Sequence, residues 1–182
     1  MSSWQCLNFA GKNMNIPERI IIHCSATPEG RDFRAADIDR WHRARGFRKI
    51  GYHYVVNIDG TYQRGRADNE VGAHCPQQSM NRRSISICYI GGLASDGKTP
   101  KDTRTEAQKR TLRTLVATIR SRYGNLPVCG HRDIPGVAKA CPCYDAAPEY
   151  NDLKKSGRSS LLSSPSFLRR RLRADSTLLT SR

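Results

Sequence analysis

Apolar residues form short runs along the chain that are typical of buried strands. Ile20–Cys24 is a β-branched run that predicts a strand buried on both faces, and His23 lies where that strand ends. Ser84–Ile90 alternates small polar with apolar residues before two glycines, which predicts a strand followed by a turn. Leu126–Cys129 predicts one more short strand.

Two other segments have helical periodicity. Thr105 and Gln108 form a capping box, and an apolar stripe then continues until Gly124, which predicts a helix between them. The stripe consists of Leu112, Leu115, Val116 and Ile119. A shorter helix is predicted from about Arg34 to Arg45, because Ile38 and Trp41 are three residues apart and Gly46 follows.

A hairpin completes the predicted set of elements. Tyr52–Ile58 and Thr61–Gln63 flank the dipeptide Asp59-Gly60, which is a strong signal for two antiparallel strands. The order β-α-β-β-β-α-β predicts an α/β fold, with one domain built on a central mixed β-sheet flanked by helices. We place that domain at residues 19–150, between an N-terminal extension (1–18) and a C-terminal tail (151–182).

Composition and charge fit one basic domain with a separate tail. The chain has 182 residues, of which 37% are apolar, and 31 Lys and Arg against 16 Asp and Glu give a net charge of +15. Such a charge attracts nucleic acid, lipid headgroups or an acidic wall polymer without choosing among them. The tail is rich in Ser and Arg and predicts disorder. Alternatively, a basic amphipathic segment at Phe167–Arg173 binds an anionic membrane or wall polymer.

The N-terminus and the cysteines predict where the protein is made. The first twenty residues contain no apolar run long enough for a signal peptide, and no later window is long enough to span a bilayer. Seven cysteines are an odd number, which favours free thiols or metal ligation over a disulfide framework. We therefore expect synthesis in the cytoplasm.

Two histidines and a cysteine could form a zinc site. His23 leaves the end of one predicted strand, while His131 and Cys141 lie ten residues apart on the loop after another. Catalytic zinc usually has three such protein ligands and one open position. The spacing alone leaves a hydrogen-bonded histidine and inert buried cysteines as the alternative. Cys141 and Cys143 could also be half of a zinc finger, although no second close pair completes it.

Several motifs together resemble the zinc-dependent N-acetylmuramoyl-L-alanine amidases. The closest likeness is to phage lysozymes of the T7 type, in a family that also includes peptidoglycan recognition proteins. The resemblance covers about residues 19 to 146. The motifs are IIHCSAT (21–27), IGYHYVVNIDGT (50–61), VGAHC (71–75), SISICYIGG (84–92) and GHRD (130–133) with KACPCYD (139–145).

The resemblance implies a ligand set and two catalytic residues. His23, His131 and Cys141 match the family's zinc ligands, and Tyr52 and Lys139 match its catalytic residues. The implied reaction is hydrolysis of the amide between N-acetylmuramic acid and L-alanine in peptidoglycan, with Zn²⁺ as the cofactor. The protein would act as a phage or prophage lysis enzyme that reaches the cell wall after release.

Three residues near these motifs have less certain roles. His74 either lines the substrate groove or is a buried, hydrogen-bonded histidine. His42 is expected to be structural. Cys143 would point to the same side as Cys141 if the chain is extended through Pro142.

Other functions remain as alternatives. A non-catalytic peptidoglycan-recognition module would keep the groove without turnover, and a regulator would bind a phage RNA polymerase. Nucleic-acid binding through the tail ranks low, because no aromatic and basic recognition signature accompanies the arginines. The protein is expected to be a monomer.

Overall fold

A computed structural model describes residues 14–153 of the chain. The strands are β1 (Arg19–Cys24), β2 (Thr27–Pro28), β3 (Tyr54–Val56), β4 (Tyr62–Arg64), β5 (Ser84–Tyr89), β6 (Gly92–Leu93) and β7 (Val128–Gly130). The α-helices are α1 (Ala35–Ala44), α2 (Glu106–Tyr123) and α3 (Ala146–Glu149). Short 3-10 helices cover Gln77–Arg82, His131–Asp133 and Asn151–Leu153.

The central sheet is mixed, as the sequence predicts. Its strand order is β4-β3-β5-β1-β7, and a separate two-stranded sheet pairs β2 with β6. The β3-β4 hairpin is antiparallel, whereas β1 runs parallel to β5 on one side and to β7 on the other. The predicted α/β fold with helices on a mixed sheet is therefore confirmed. The small β2-β6 sheet was not predicted.

One face of the sheet packs on α2. Ile85 and Ile87 of β5 join Ile20 and Ile22 of β1 in a cluster that includes the predicted helical stripe. The predicted capping box is present, because Thr105 Oγ1 accepts from the Gln108 amide at 3.1 Å and Gln108 Oε1 accepts from the Thr105 amide at 3.0 Å. Burial of each large aliphatic side chain here contributes roughly 1.5–3 kcal/mol to stability.

The opposite face carries two smaller apolar clusters with polar side chains between them. One cluster, which includes Ile38 and Val55, packs α1 against the sheet. The other contains Ile21, Met80 and Ile134. Five buried polar side chains occupy the same face of the sheet or pack on it: His23, His53, His74, Ser84 and Ser86. The candidate site lies among them.

Residues on both sides of the predicted domain contact the core. The Asn15 amide donates from Nδ2 to the carbonyl oxygens of Asp68 and Ser84, both at 2.9 Å. Leu153, beyond residue 150, packs against the α2-facing cluster. The limits at residues 19 and 150 stay predictions. The disorder predicted for the tail and the amphipathic segment at Phe167–Arg173 lie outside the described residues, apart from 151–153.

No helix within residues 14–153 has both the length and the apolar character needed to cross a membrane.

Candidate metal centre and active site

Parallel pairing of β1 and β7 brings two histidines together. Ile22 of β1 aligns with Gly130 of β7, so the next residues on each strand are His23 and His131. The carboxyl ends of parallel neighbours meet at one edge of a sheet. The two imidazole rings lie with their centroids 4.5 Å apart.

The loop after β7 turns back and delivers Cys141 to the same edge. The Arg132 amide donates to the Cys141 carbonyl at 2.7 Å, which closes the loop next to His131. The Tyr89 hydroxyl donates to the Pro142 carbonyl at 2.6 Å and ties the loop to the core. A Cβ on Gly130 would lie 2.5 Å from Pro142 Cδ, so glycine is needed for this close approach.

The three donor atoms are arranged as a metal requires. One ligand atom from each of His23, His131 and Cys141 lies within 4.8 Å of the others. His23 Nδ1 and Cys141 Sγ are 3.8 Å apart, and usual zinc bond lengths in a tetrahedral site give a nitrogen–sulfur separation of about 3.6 Å. His131 Nε2 is buried without a hydrogen-bond partner in the part of the chain described. Two imidazoles and one cysteine sulfur fit zinc, and one of the imidazoles has a buried nitrogen that metal binding would satisfy.

Burial keeps the two imidazoles neutral. Desolvation lowers the pKa of His131 to about 4, with a smaller contribution from the positive charge of Lys139. Desolvation also holds the pKa of His23 well below its usual value, and neighbouring histidines add to this shift. Neutral imidazole is the form that binds metal. Lys139 itself is exposed on the loop, and its positive charge contributes to the lowered pKa of both histidines.

Tyr52 lies against His23, one of the candidate ligands. Its ring centroid is 5.1 Å from that of His23, and the side chain is half-buried beside the α1 cluster. Desolvation raises the pKa of the Tyr52 phenol well above its usual value. A phenol is protonated at neutral pH, so the Tyr52 hydroxyl can donate a hydrogen bond.

The remaining histidines have hydrogen-bonded positions. His74 is buried, and its Nδ1 lies 3.0 Å from His23 Nε2. This matches the alternative role given to His74, that of a buried, hydrogen-bonded histidine. Contact between His74 and substrate stays a prediction. His53 lies 2.9 Å from Ser86 Oγ. His42 Nδ1 accepts from the Gly51 amide at 2.8 Å, in agreement with the structural role expected for it.

The condition under which Cys143 would point to the same side as Cys141 is not met. Cys143 has a φ of 70°, so the chain is not extended there, and its thiol does not join Cys141. Its Sγ lies 3.8 Å from Cys24 Sγ and donates to the Gly92 carbonyl at 3.1 Å. Cys24 belongs to the α2-facing cluster, on the other face of the sheet from His23, and Cys143 packs against that cluster.

Comparison with known proteins identifies the family. Residues 13–144 match the N-acetylmuramoyl-L-alanine amidase family. The chain belongs to this family. It is 35% identical over 143 residues to the endolysin of Enterobacteria phage T3, with 78% of this chain and 91% of that protein covered. It is 33% identical over 149 residues to the endolysin of Escherichia phage T7, with 81% and 95% covered.

The fold agrees with that of a solved amidase. N-acetylmuramoyl-L-alanine amidase LysC from Clostridium intestinale URNW superimposes with a TM-score of 0.59 at 27% identity, over 72% of this chain and 79% of that one. Peptidoglycan-recognition proteins are also similar in sequence. The family, the fold and the enzymatic class expected from the sequence motifs are thereby confirmed.

The sequence analysis did not single out Ser84, which lies next to His74 on the site face of this amidase. Ser84 Oγ donates to the Met80 carbonyl at 2.6 Å and lies 3.5 Å from His74 Nε2. The signal available in the sequence was the small polar residues at alternate positions of the fourth motif, which face the histidines rather than the α2 core.

Proposed function

We propose that this amidase hydrolyses the bond between N-acetylmuramic acid and L-alanine in peptidoglycan, with zinc held by His23, His131 and Cys141. The observation that carries the proposal is the convergence of these three donor atoms in a chain of the amidase family. When bound, zinc supplies Lewis acidity, which polarises the scissile carbonyl and makes water acidic enough to react near neutral pH.

Lys139 is proposed to stabilise negative charge that develops on the substrate. Its ammonium group is close enough to lower the pKa of both ligand histidines. A fixed positive charge at this place lowers the energy of an anionic oxygen formed from the amide carbonyl. Because Lys139 is exposed, substrate must cover it for the interaction to reach full strength.

Tyr52 is proposed to act as a hydrogen-bond donor. A phenol with an ordinary pKa of about 10 is a hydrogen-bond donor at neutral pH unless a nearby cation perturbs it. A protonated hydroxyl beside His23 can orient the attacking water or the carbonyl group. Tyr52→Phe is expected to retain zinc and reduce turnover roughly 100-fold, since it removes only the donor. An unchanged rate in this variant would remove Tyr52 from the mechanism.

The biological setting is proposed from the relatives. Endolysins of phages T3 and T7 cover most of the chain, so we propose that this protein acts on the cell wall after release from the cytoplasm. We also propose that it acts as a monomer. The proposed cytoplasmic origin and any contact of the tail with anionic polymer await experiment.

Digestion of purified sacculi tests the function. Mass spectrometry is expected to detect released stem peptides that begin with L-alanine, together with intact glycan strands. A chelator should abolish their release, and added zinc should restore it. Binding to sacculi with no release of peptide would instead favour the non-catalytic recognition module, and cleavage within the glycan would overturn the proposal.

A further inference from the structure

A chain of hydrogen bonds leads from the ligand His23 into the protein interior. His23 Nε2 lies 3.0 Å from His74 Nδ1, and His74 Nε2 lies 3.5 Å from Ser84 Oγ. The Ser84 hydroxyl lies 2.6 Å from the carbonyl oxygen of Met80. All three side chains are buried, with exposures of 1% for His23, 9% for His74 and 0% for Ser84. The chain therefore ends at a backbone carbonyl.

The far end of this chain fixes the direction of its hydrogen bonds. A carbonyl oxygen can only accept, so the Ser84 hydroxyl must use its single proton toward Met80. Ser84 Oγ is then an acceptor toward His74, which favours a proton on His74 Nε2. A neutral imidazole carries one N–H, so His74 Nδ1 is the acceptor for His23 Nε2–H.

The proton positions along this chain also determine which nitrogen of His23 is free to bind a metal. With its proton on Nε2, His23 has a free lone pair on Nδ1, the atom that faces Cys141 Sγ at 3.8 Å. The opposite tautomer would place a proton on Nδ1, between the ligand nitrogen and the metal position. Protein partners of this kind orient metal-binding histidines and set which nitrogen binds.

We propose that His74 and Ser84 are positioning residues that hold His23 in the Nε2–H tautomer, with Nδ1 presented to zinc. The inference rests on the proposed zinc function. It assigns His74 a role behind the metal site in place of contact with substrate. The contact between His74 Nε2 and Ser84 Oγ, at 3.5 Å, is the longest of the three. The experiment therefore removes the Ser84 hydroxyl.

β5 contains a matched control for Ser84. Ser86 is two residues along the same strand, is also 0% exposed and also hydrogen-bonds a histidine, His53. The His53 ring packs on that of His74, with centroids 6.0 Å apart, but its hydrogen bonds go to Ser86 and the Glu70 carbonyl instead of to His74 or His23. Ser84→Ala and Ser86→Ala remove the same atom from the same face. Ser84→Ala alone should lose zinc affinity, by roughly 10- to 100-fold.

Zinc affinity is measured by chelator competition on the full chain, and the tautomer of His23 by long-range ¹H–¹⁵N NMR of the zinc-free protein. We expect Nε2–H at His23 in the wild type and in Ser86→Ala, and a loss of that preference in Ser84→Ala. Equal zinc affinity in all three proteins, or equal losses in both variants, would overturn the inference. Failure of the wild type to bind zinc would instead refute the proposed function.

A second pair of variants covers the case in which Ser84→Ala does not fold. His74→Asn keeps an acceptor, because the amide Oδ1 can take the place of imidazole Nδ1, whereas His74→Leu removes it. Zinc affinity should be within about threefold of the wild type in His74→Asn and at least tenfold weaker in His74→Leu. An increase in KM with zinc affinity unchanged in both variants would favour the substrate-lining role and overturn the inference.

Discussion

The two faces of the central sheet are built from the same strands but carry different side chains, apolar on the α2 face and partly polar on the face of the candidate site. On the α2 face, β5 contributes Ile85 and Ile87 to an apolar cluster. On the other face it contributes Ser84 and Ser86, which hydrogen-bond to the histidines behind the metal site. Adjacent residues of a strand point to opposite faces, so a single strand can supply both stability and chemistry.

The difference between the faces shows where the free energy of folding comes from. Burial of aliphatic groups on the α2 face is favourable without any partner. Burial of imidazoles and hydroxyls on the site face is favourable only when each polar atom is hydrogen-bonded or bound to metal. His131 Nε2 has no such partner in the described structure, so the site face should gain stability from zinc and the α2 face should not.

Loss of a ligand should have the largest effect. Cys141→Ala is expected to abolish stoichiometric zinc binding and to reduce hydrolysis of sacculi by roughly 10,000-fold or more, about 5.5 kcal/mol in the activation barrier. Metal content by elemental analysis and release of stem peptides are the measurements. Cys143→Ala is the control, because its thiol faces Cys24, and it should keep the metal. Full activity in Cys141→Ala would refute the ligand assignment.

Removal of the loop charge should come next. Lys139→Ala is expected to retain zinc and lower the turnover rate roughly 100- to 1,000-fold, about 2.7–4 kcal/mol, because one stabilising group for the anionic oxygen is lost. Steady-state kinetics on sacculi give the rate. Lys139→Arg keeps the charge and should retain more activity than Lys139→Ala. If the two variants are equally impaired, charge alone does not explain the role of Lys139.

A core substitution on the other face should change stability instead of chemistry. Leu112 of α2 is fully buried in the cluster between this helix and the sheet, so Leu112→Ala should reduce the free energy of unfolding by about 2–5 kcal/mol. Zinc affinity of the folded fraction should not change. Denaturant unfolding and chelator competition measure the two quantities. Thr114→Ala, at an exposed position of α2, should have little effect on either one.

The smallest effect is expected at the start of α2. Thr105→Ala removes the side-chain cap of this helix and should cost about 1 kcal/mol of stability. Thr105→Ser keeps a hydroxyl and should recover most of that loss, as measured by denaturant unfolding. Zinc binding that changes along with this small loss would show that the two faces are coupled more closely than the packing suggests.

Much of the α2 face could be predicted from sequence. The capping box at Thr105, the apolar stripe and the stop at Gly124 are local signals, and α2 begins and ends within one residue of them. The hairpin at Asp59-Gly60 was equally local. Its first strand, Tyr54–Val56, is shorter than predicted, and its second, Tyr62–Arg64, is displaced by one residue from the predicted Thr61–Gln63. The candidate metal ligands were predicted through a resemblance over several motifs, since their spacing alone left other interpretations open.

The site face could be predicted only in part. The position of Cys143 could be given only conditionally, because its backbone conformation after Pro142 depends on how the loop packs against the core. The hydrogen bonds of Ser84 to His74 and Met80 were missed because they depend on how residues 74–84 fold back through the 3-10 helix that precedes β5.

By itself the sequence determined α2 and the β3-β4 hairpin, because their capping, periodicity and turn signals depend on neighbours a few positions away. It also determined the family, through motifs spread over most of the domain. Tertiary structure decided that β1 and β7 are parallel neighbours, and therefore that His23 and His131 meet at one edge. It also decided which nitrogen of His23 faces Cys141, because that depends on hydrogen bonds between side chains distant in sequence.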